Sequence, residues 1–203
     1  MSKYHQYLIK NLVDLAMSVF CFLVTLPLIV FISLAIKFTS KGTIFFIQKR
    51  IGKDGKIFKI IKFRTMTANA EKVKNKLIKL NEADGPVFKI QNDPRFTSIG
   101  KILSGTGLDE LPQFINVLKG EMSIVGPRPL PVGEAKKLNK KQKIRELVKP
   151  GITSSWVIEG SHKMSFKKWM ELDASYVKNA TFTTDIYIIS KTFLMMLRSI
   201  LKL

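Results

Sequence analysis

Residues 107–130 read GLDELPQFINVLKGEMSIVGPRPL, and two features of that stretch could do chemistry. Asp109 and Glu110 are the only adjacent acidic pair in a chain with 34 Lys and Arg against 15 Asp and Glu. Downstream, Arg128 stands between Pro127 and Pro129 in a tight turn. An acid at a helix N-terminus accepts backbone N–H bonds and feels the positive end of the helix dipole, an effect of about 0.3–1 kcal/mol. A simple N-cap accounts for one carboxylate of the pair and leaves the second without a purpose. Both effects lower a carboxyl pKa and hold the group ionised, as a nucleophile or a metal ligand must be. Magnesium sites commonly join one or two carboxylates to substrate phosphates, so the pair suits metal-assisted phosphoryl or phosphosugar transfer.

Phosphate would have to be met by side chains. No P-loop is present, and Gly105-Thr106-Gly107 is too short a pattern to count as one. The basic candidates sit at turns: Lys62 and Arg64 in KFRTM, Arg95 in NDPRF, Arg128 in GPRP. Arg offers a planar fork for phosphate oxygens, and Lys a point charge. Each alone competes with a plain solvated surface charge. Their place in turns, where loops carry function, favours the site. Metal–histidine and thiol chemistry are not expected: His5 and His162 stand far from other ligands, and Cys21 is the single cysteine.

These residues need elements to position them. At 203 residues the chain holds one ordinary domain, and its net charge of +19 calls for an anionic partner. Leu15 to Ile36 carries no charge and is long enough for a bilayer core, which takes roughly 20 apolar helical residues. Pro27 falls within that run and favours a kink. Lys3 and Lys10 precede the run and Lys37 and Lys41 follow it, so the positive-inside tendency places both ends in the cytoplasm. A kinked helix that enters and leaves one leaflet satisfies this, with Asp14 at headgroup depth.

Beyond the apolar run, Thr43 to Gln48 and Lys56 to Phe63 read as paired strands around Gly52, Asp54 and Gly55. Residues 68–82 read as a solvated helix, Val87 to Ile90 as a short strand, and Ser98 to Leu103 as a helix. Asp109 begins a helix to about Leu118, stopped by Gly120. Met122 to Val125 is a strand, Glu134 to Val148 a basic helix, KPGITSSW a turn into a strand, and Phe166 to Val177 a helix. In the tail, Ile186, Ile189, Phe193, Met196, Leu197 and Ile200 share one helical face, as in an interfacial helix or an ordinary packing helix. The fold class is α+β, divided into a membrane helix with its flanks (1–37) and a catalytic domain (38–203).

The segments GTIFFIQKRIGKDGKIFKIIKFRTM, GPVFKIQNDPRFTSIGKIL, LDELPQFINVLKGEMSIVGPRPLP, VKPGIT and LDASYVKNATFTTDIYIISKT resemble, in order, the bacterial sugar transferase family. These are monotopic phosphoglycosyl transferases, and the resemblance runs from about residue 8 to 195. It implies a re-entrant membrane helix broken at Pro27 and a catalytic domain on the cytoplasmic face of the bacterial inner membrane. It implies Asp109 as nucleophile and Glu110 as Mg²⁺ partner, the two together forming the metal site. Pro127, Arg128 and Pro129 would lie near the nucleotide diphosphate, with roles also for Lys62 and for Asp173 of LDASYV. The implied partners are a UDP-sugar, polyprenyl phosphate and anionic membrane lipids.

Three departures from the family pattern are visible. Ser104 stands where relatives usually have Arg, residues 154–161 read SSWVIEGS in place of GLWQVSGR, and Lys10-Asn11 replaces Lys-Arg. The altered 154–161 segment bears on sugar recognition; GPVFK and Trp156 lean toward the hexose-1-phosphate branch. A silent scaffold of the same fold is weighed against an enzyme by the intact acidic pair. Nucleic acid is not an expected partner, because aromatic stacking platforms are missing beside the Lys runs. The oligomeric state stays open, a homodimer included.

Overall fold

The computed structural model describes residues 2, 8–160 and 164–202. His5, His162, Lys3 and Ser161 lie outside the described residues. The long apolar stretch forms α1 (Leu8–Thr39), which exceeds the expected run at both ends. It continues through Pro27 as one helix, so the expected break there is not a break in helical structure. Proline removes one bond from the ladder, and the helix carries that loss within an otherwise favourable apolar sequence.

One stripe of α1 is buried: Lys10, Asp14 and Ser18 toward its start, Ile29, Ile32 and Ile36 toward its end. The later residues pack into a core with Phe63, Leu103 and Leu111. The earlier ones meet the strand near Ser123 and the last helix. Both ends of α1 are therefore docked on the same domain. The rest of its surface is apolar and open: Phe20, Leu23, Val24, Phe31 and Phe38 are all well exposed. Asp14, expected at headgroup depth, is buried against Ser123 and Ile124, where Lys10 and their donors partner its carboxylate.

The antiparallel hairpin appears as expected, β1 (Phe45–Ile51) on β2 (Ile57–Phe63), in register from Phe45 opposite Phe63 to Ile51 opposite Ile57. Residues 68–82 form only a short α2 (Ala70–Lys74) that tightens into a 3₁₀ turn at Asn75–Leu80. Val87 to Ile90 is not a strand. The Lys89 backbone instead bonds the Asn81 side chain and the Glu82 N–H, which folds residues 81–91 into an irregular loop. α3 (Ser98–Thr106) starts at a Thr97 cap, and Gly100 lies so close to Thr65 that a Cβ there would overlap its carbonyl oxygen.

A 3₁₀ turn over Leu108–Gln113 precedes α4 (Phe114–Leu118). The parallel pair β3 (Ser123–Val125) and β4 (Gly151–Thr153) brackets α5 (Val132–Ala135) and a 3₁₀ turn at Gln142–Leu147. The expected basic helix is thus interrupted: Asn139 and Gln142 exchange side chain–backbone bonds and start a new turn. α6 (Ser155–Ile158), α7 (Phe166–Asn179) and α8 (Phe182–Ile200) complete the chain. α8 buries Asp185 and Ile188 and leaves Phe193, Leu194 and Leu197 exposed. The whole is a mixed helix-and-strand domain carrying one long apolar N-terminal helix, an architecture compatible with a monotopic membrane protein.

Candidate active site

The acidic pair sits where α3 stops. Gly107 ends that helix in the left-handed region (φ 77°), which a side chain would strain, and reverses the chain into the 3₁₀ turn that holds Asp109 and Glu110. Pro112 favours this tight turn over a longer α-helix start, since it lacks the N–H that an α ladder would use. Neither carboxylate caps the helix that follows. The N-cap reading is therefore set aside.

β2 lies across this turn and delivers Lys62. Its backbone is held by Asn116 of α4, whose side chain accepts from Ile61 N–H at 3.0 Å and donates to the Lys59 carbonyl at 2.7 Å. Lys62 Nζ then lies 2.5 Å from Glu110 Oε1 and 3.7 Å from Asp109 Oδ2. Arg128 comes from the turn after β3 and places Nη2 2.9 Å from the same Glu110 Oε1. Structure thus brings together Lys62, Asp109, Glu110 and Arg128, with Pro127 and Pro129 bounding the turn.

That turn is pinned from several sides. Gly126 N–H donates to the Thr153 carbonyl at 3.0 Å and Gly151 N–H to the Pro127 carbonyl at 3.1 Å, while Arg145 donates to the Arg128 carbonyl. Arg50 Nη1 donates to the Pro129 carbonyl at 2.8 Å. Asp173 does not reach the pair; it lies 2.9 Å from Arg145 and so supports the turn from behind. Arg128 also lies 5.6 Å from the ring centre of Trp156, which stacks on Trp169 at 4.5 Å, and Arg145 is 5.3 Å from Trp169.

Two expected residues are engaged elsewhere. Arg64 donates to the Ser40 and Lys41 carbonyls and to Ser40 Oγ, tying down the end of α1. Arg95 is held in a fork by Asp93, at 2.9 and 2.6 Å, with its guanidinium 5.2 Å from the Phe88 ring. Ser104 is exposed on α3. Reading by sequence missed Arg50, Arg145, Asn116 and Lys89. The one signal for Asn116 was a polar residue within the apolar helix FINVL; the others resembled members of a basic surface.

Electrostatics separate the two carboxyls. Burial pushes Asp109 up to about 6, against the pull of Lys62, and its neighbour Glu110 adds to the rise. Burial acts on Glu110 in the same sense, but Arg128 and Lys62 outweigh it and hold that carboxyl below the ordinary range. Asp109 thus departs from the expected depressed pKa, because it is the partner farther from both cations. The surroundings are rich in cations: burial and then Arg128 push the Arg50 guanidinium down to about 10. Such crowding is relieved by an anionic ligand.

The donor set fits a magnesium ion shared with a phosphorylated substrate. Among the described residues no cluster of three or more His, Cys, Asp or Glu could form a metal cage. Two carboxylates suffice when substrate phosphates complete the shell. Both ion pairs of Glu110 fall on Oε1, which leaves Oε2 as the oxygen available to a metal.

Residues 5–199 match the family model described as bacterial sugar transferase. The chain is 40% identical over 191 residues to the galactosyl transferase CpsE of Streptococcus agalactiae, covering 94% of this chain and 42% of that protein. It is 35% identical over 187 residues to the exopolysaccharide production protein ExoY of Sinorhizobium fredii, covering 90% and 83%. With the UDP-glucose:undecaprenyl-phosphate glucose-1-phosphate transferase of Escherichia coli it shares 39% identity over 194 residues, covering 91% and 39%. The chain therefore spans about two-fifths of the first and third of these relatives and most of the second.

Proposed function

Since the chain belongs to the bacterial sugar transferase family, we propose that it moves a sugar 1-phosphate from a UDP-sugar to polyprenyl phosphate. The observation that carries this reading is the quartet of Asp109, Glu110, Lys62 and Arg128, with Asp109 buried and the other three half-buried, in a domain docked on an apolar helix. Names of relatives supply the donor and acceptor classes: one is a UDP-glucose:undecaprenyl-phosphate glucose-1-phosphate transferase.

Asp109 is the nucleophile. Its carboxylate oxygen attacks the sugar-bearing phosphorus of the donor; the bond from that phosphorus to UMP breaks, and UMP leaves with the electron pair. A phosphosugar is left on Asp109 as an acyl phosphate. An oxygen of polyprenyl phosphate then attacks the same phosphorus, and the Asp109 carboxylate departs. Splitting the transfer lets a soluble and a lipidic substrate use one site in turn. Three anions must meet, and Lys62 and Arg128 lower that repulsion by stabilising charge on the transferring phosphoryl group. Magnesium, held by Glu110 and Asp109, would supply further charge neutralisation when bound.

Docking of α1 at both ends on one domain supports a re-entrant segment in one leaflet, with its open apolar surface in lipid. The exposed apolar residues of α8 support an interfacial position for that helix. Basic flanks set the domain on the cytoplasmic face of the inner membrane, where anionic lipids meet the positive surface. The test is UMP release from UDP-sugars with and without undecaprenyl phosphate and Mg²⁺, with mass spectrometry after incubation with donor alone. A sugar-phosphate adduct on the peptide containing Asp109 is expected, and Asp109→Asn should show none. An adduct on another residue, or near-normal turnover in the Asn variant, sinks the assignment.

A further inference from the structure

Beside Arg128 lies a cleft of about 290 Å³ that none of the chemistry above uses. Its walls are the irregular loop carrying Glu82, Asp84, Val87 and Lys89 on one side, and Trp156 and Trp169 on the other. The loop is built rather than loose. Asn81 donates to the Ala83 and Val87 carbonyls and accepts from Lys89 N–H, and Asp84 accepts from Phe166 N–H at 2.7 Å. Lys89 Nζ is buried, makes no hydrogen bond among the described residues, and lies 5.7 Å from the Trp156 ring centre. Burial, and then the Arg128 charge, push its ammonium down to about 8. A buried amine with three donors and no acceptor calls for an oxygen-rich ligand.

We infer that this cleft is the hexose subsite of the donor, with Trp156 as an aromatic wall beside the sugar ring and Lys89 as the donor to its hydroxyl oxygens. The inference rests on the UDP-sugar reading above. Size favours a single ring, since ligand clefts that enclose larger molecules begin at about 300 Å³. Composition agrees: hydroxyls both give and accept hydrogen bonds, and the cleft offers the Lys89 donor with the Glu82 and Asp84 acceptors. Position decides between sugar and nucleoside. One guanidinium, that of Arg128, touches Glu110 and also lies over Trp156. The group attached directly to the attacked phosphorus is the sugar, whereas the nucleoside is one phosphate farther away.

The experiment compares the parent chain with Lys89→Met and Lys89→Gln, using UDP-glucose and UDP-galactose as donors and UDP as a sugarless competitor. The expected result is a KM raised about tenfold or more for the donor that the parent uses, as for loss of charged hydrogen bonds. The inhibition constant of UDP should stay within about twofold, which also shows that the variants are folded. A parallel loss of UDP affinity would assign the cleft to the nucleotide and overturn the proposal while leaving the transferase reading intact. Unchanged KM and UDP inhibition would remove the cleft from donor binding altogether. Failure of the parent to release UMP from any UDP-sugar would overturn the transferase reading first, and the hexose subsite with it.

Discussion

The Lys62 ammonium lies 2.5 Å from Glu110 Oε1 but 3.7 Å from Asp109 Oδ2. One cation therefore pairs directly with Glu110, the proposed metal partner, and acts through space on Asp109, the proposed nucleophile. Its pull still lowers the Asp109 pKa, against burial. With Asp109 near 6, donor kcat/KM in the parent should rise through about pH 6 and level off above it. In Lys62→Met that pull is gone, so the acid limb should move to higher pH and the plateau should fall by about 10²-fold or more. A variant that lost activity with an unmoved acid limb would show that Lys62 contacts substrate without tuning Asp109.

Asp109→Asn has a second signature, in stability. The folded-state pKa of Asp109 is raised above the ordinary carboxyl value. Its contribution to stability is therefore complete below about pH 4 and is lost as pH rises through about 6. At pH 7.5 the ionised carboxylate is a burden of about 1–3 kcal/mol that the neutral amide lacks. The Asn variant should melt above the parent at pH 7.5, with the difference shrinking toward pH 4.5. Equal melting shifts at both pH values would mean that Asp109 ionises as freely in the fold as in the unfolded chain.

How much of this was open to a reader of the sequence depends on the range of the cause. Local signals held: the hairpin from Phe45 to Phe63, the helix from Ser98, and β3 all follow from period and turn residues close by. The acidic pair stood out because a simple N-cap accounts for only one of two adjacent acids in a basic chain. Long-range partners were not. Arg64 and Arg128 both looked like phosphate ligands, yet Arg64 is taken by carbonyls at the end of α1, a segment more than twenty residues away. Val87 to Ile90 had strand composition, but strand formation needs a partner edge, and Asn81 takes the Lys89 N–H first. Nothing local announces that Trp156 stacks on Trp169 or that the Arg128 guanidinium lies 5.6 Å from its ring centre.

Asp173 acts on the site at one remove. It meets Arg145 at 2.9 Å, and Arg145 donates to the Arg128 carbonyl, both side chains being almost fully buried. Burial pushes Asp173 up to about 6, though Arg145 opposes the rise. Removing one member of such a pair leaves a buried charge uncompensated, at a cost of about 3–5 kcal/mol. Asp173→Ala should lower stability by that order and raise donor KM through the loosened turn. The double variant with Arg145→Met should recover part of the stability, since no unpaired charge then remains. A double variant as unstable as the single one would show that packing, not charge, is what Asp173 contributes.

The apolar helix α1 is tied to the turn that carries Arg128 by a buried polar network. Asp14 of α1 accepts from Ser123 Oγ at 2.7 Å and from Ile124 N–H at 3.3 Å. Lys10 bridges Asp14 and Asp185 at 2.9 and 2.7 Å, and the Tyr176 hydroxyl lies 2.7 Å from Asp185 and 3.0 Å from the Val125 carbonyl. β3 runs from Ser123 to Val125 and leads straight into the Gly126–Pro129 turn that aims Arg128. The start of α1 is therefore a support for the candidate site as well as part of the proposed membrane anchor. Asp14→Ala strips the Ile124 N–H of its acceptor, while Ser123 Oγ keeps the Val125 carbonyl at 2.8 Å; the buried group left unpaired costs about 1–3 kcal/mol. Turnover should fall and donor KM should rise, while the protein still partitions into vesicles through the unchanged apolar surface. Asp14→Asn keeps an oxygen for the Ile124 N–H and an amide that can donate to Ser123 Oγ, and should restore most of the activity, although the charge facing Lys10 is lost. If Asp14→Ala lowered the melting temperature but left KM and kcat at parental values, α1 would be an anchor alone, and the path from Asp14 through β3 to Arg128 would carry no coupling.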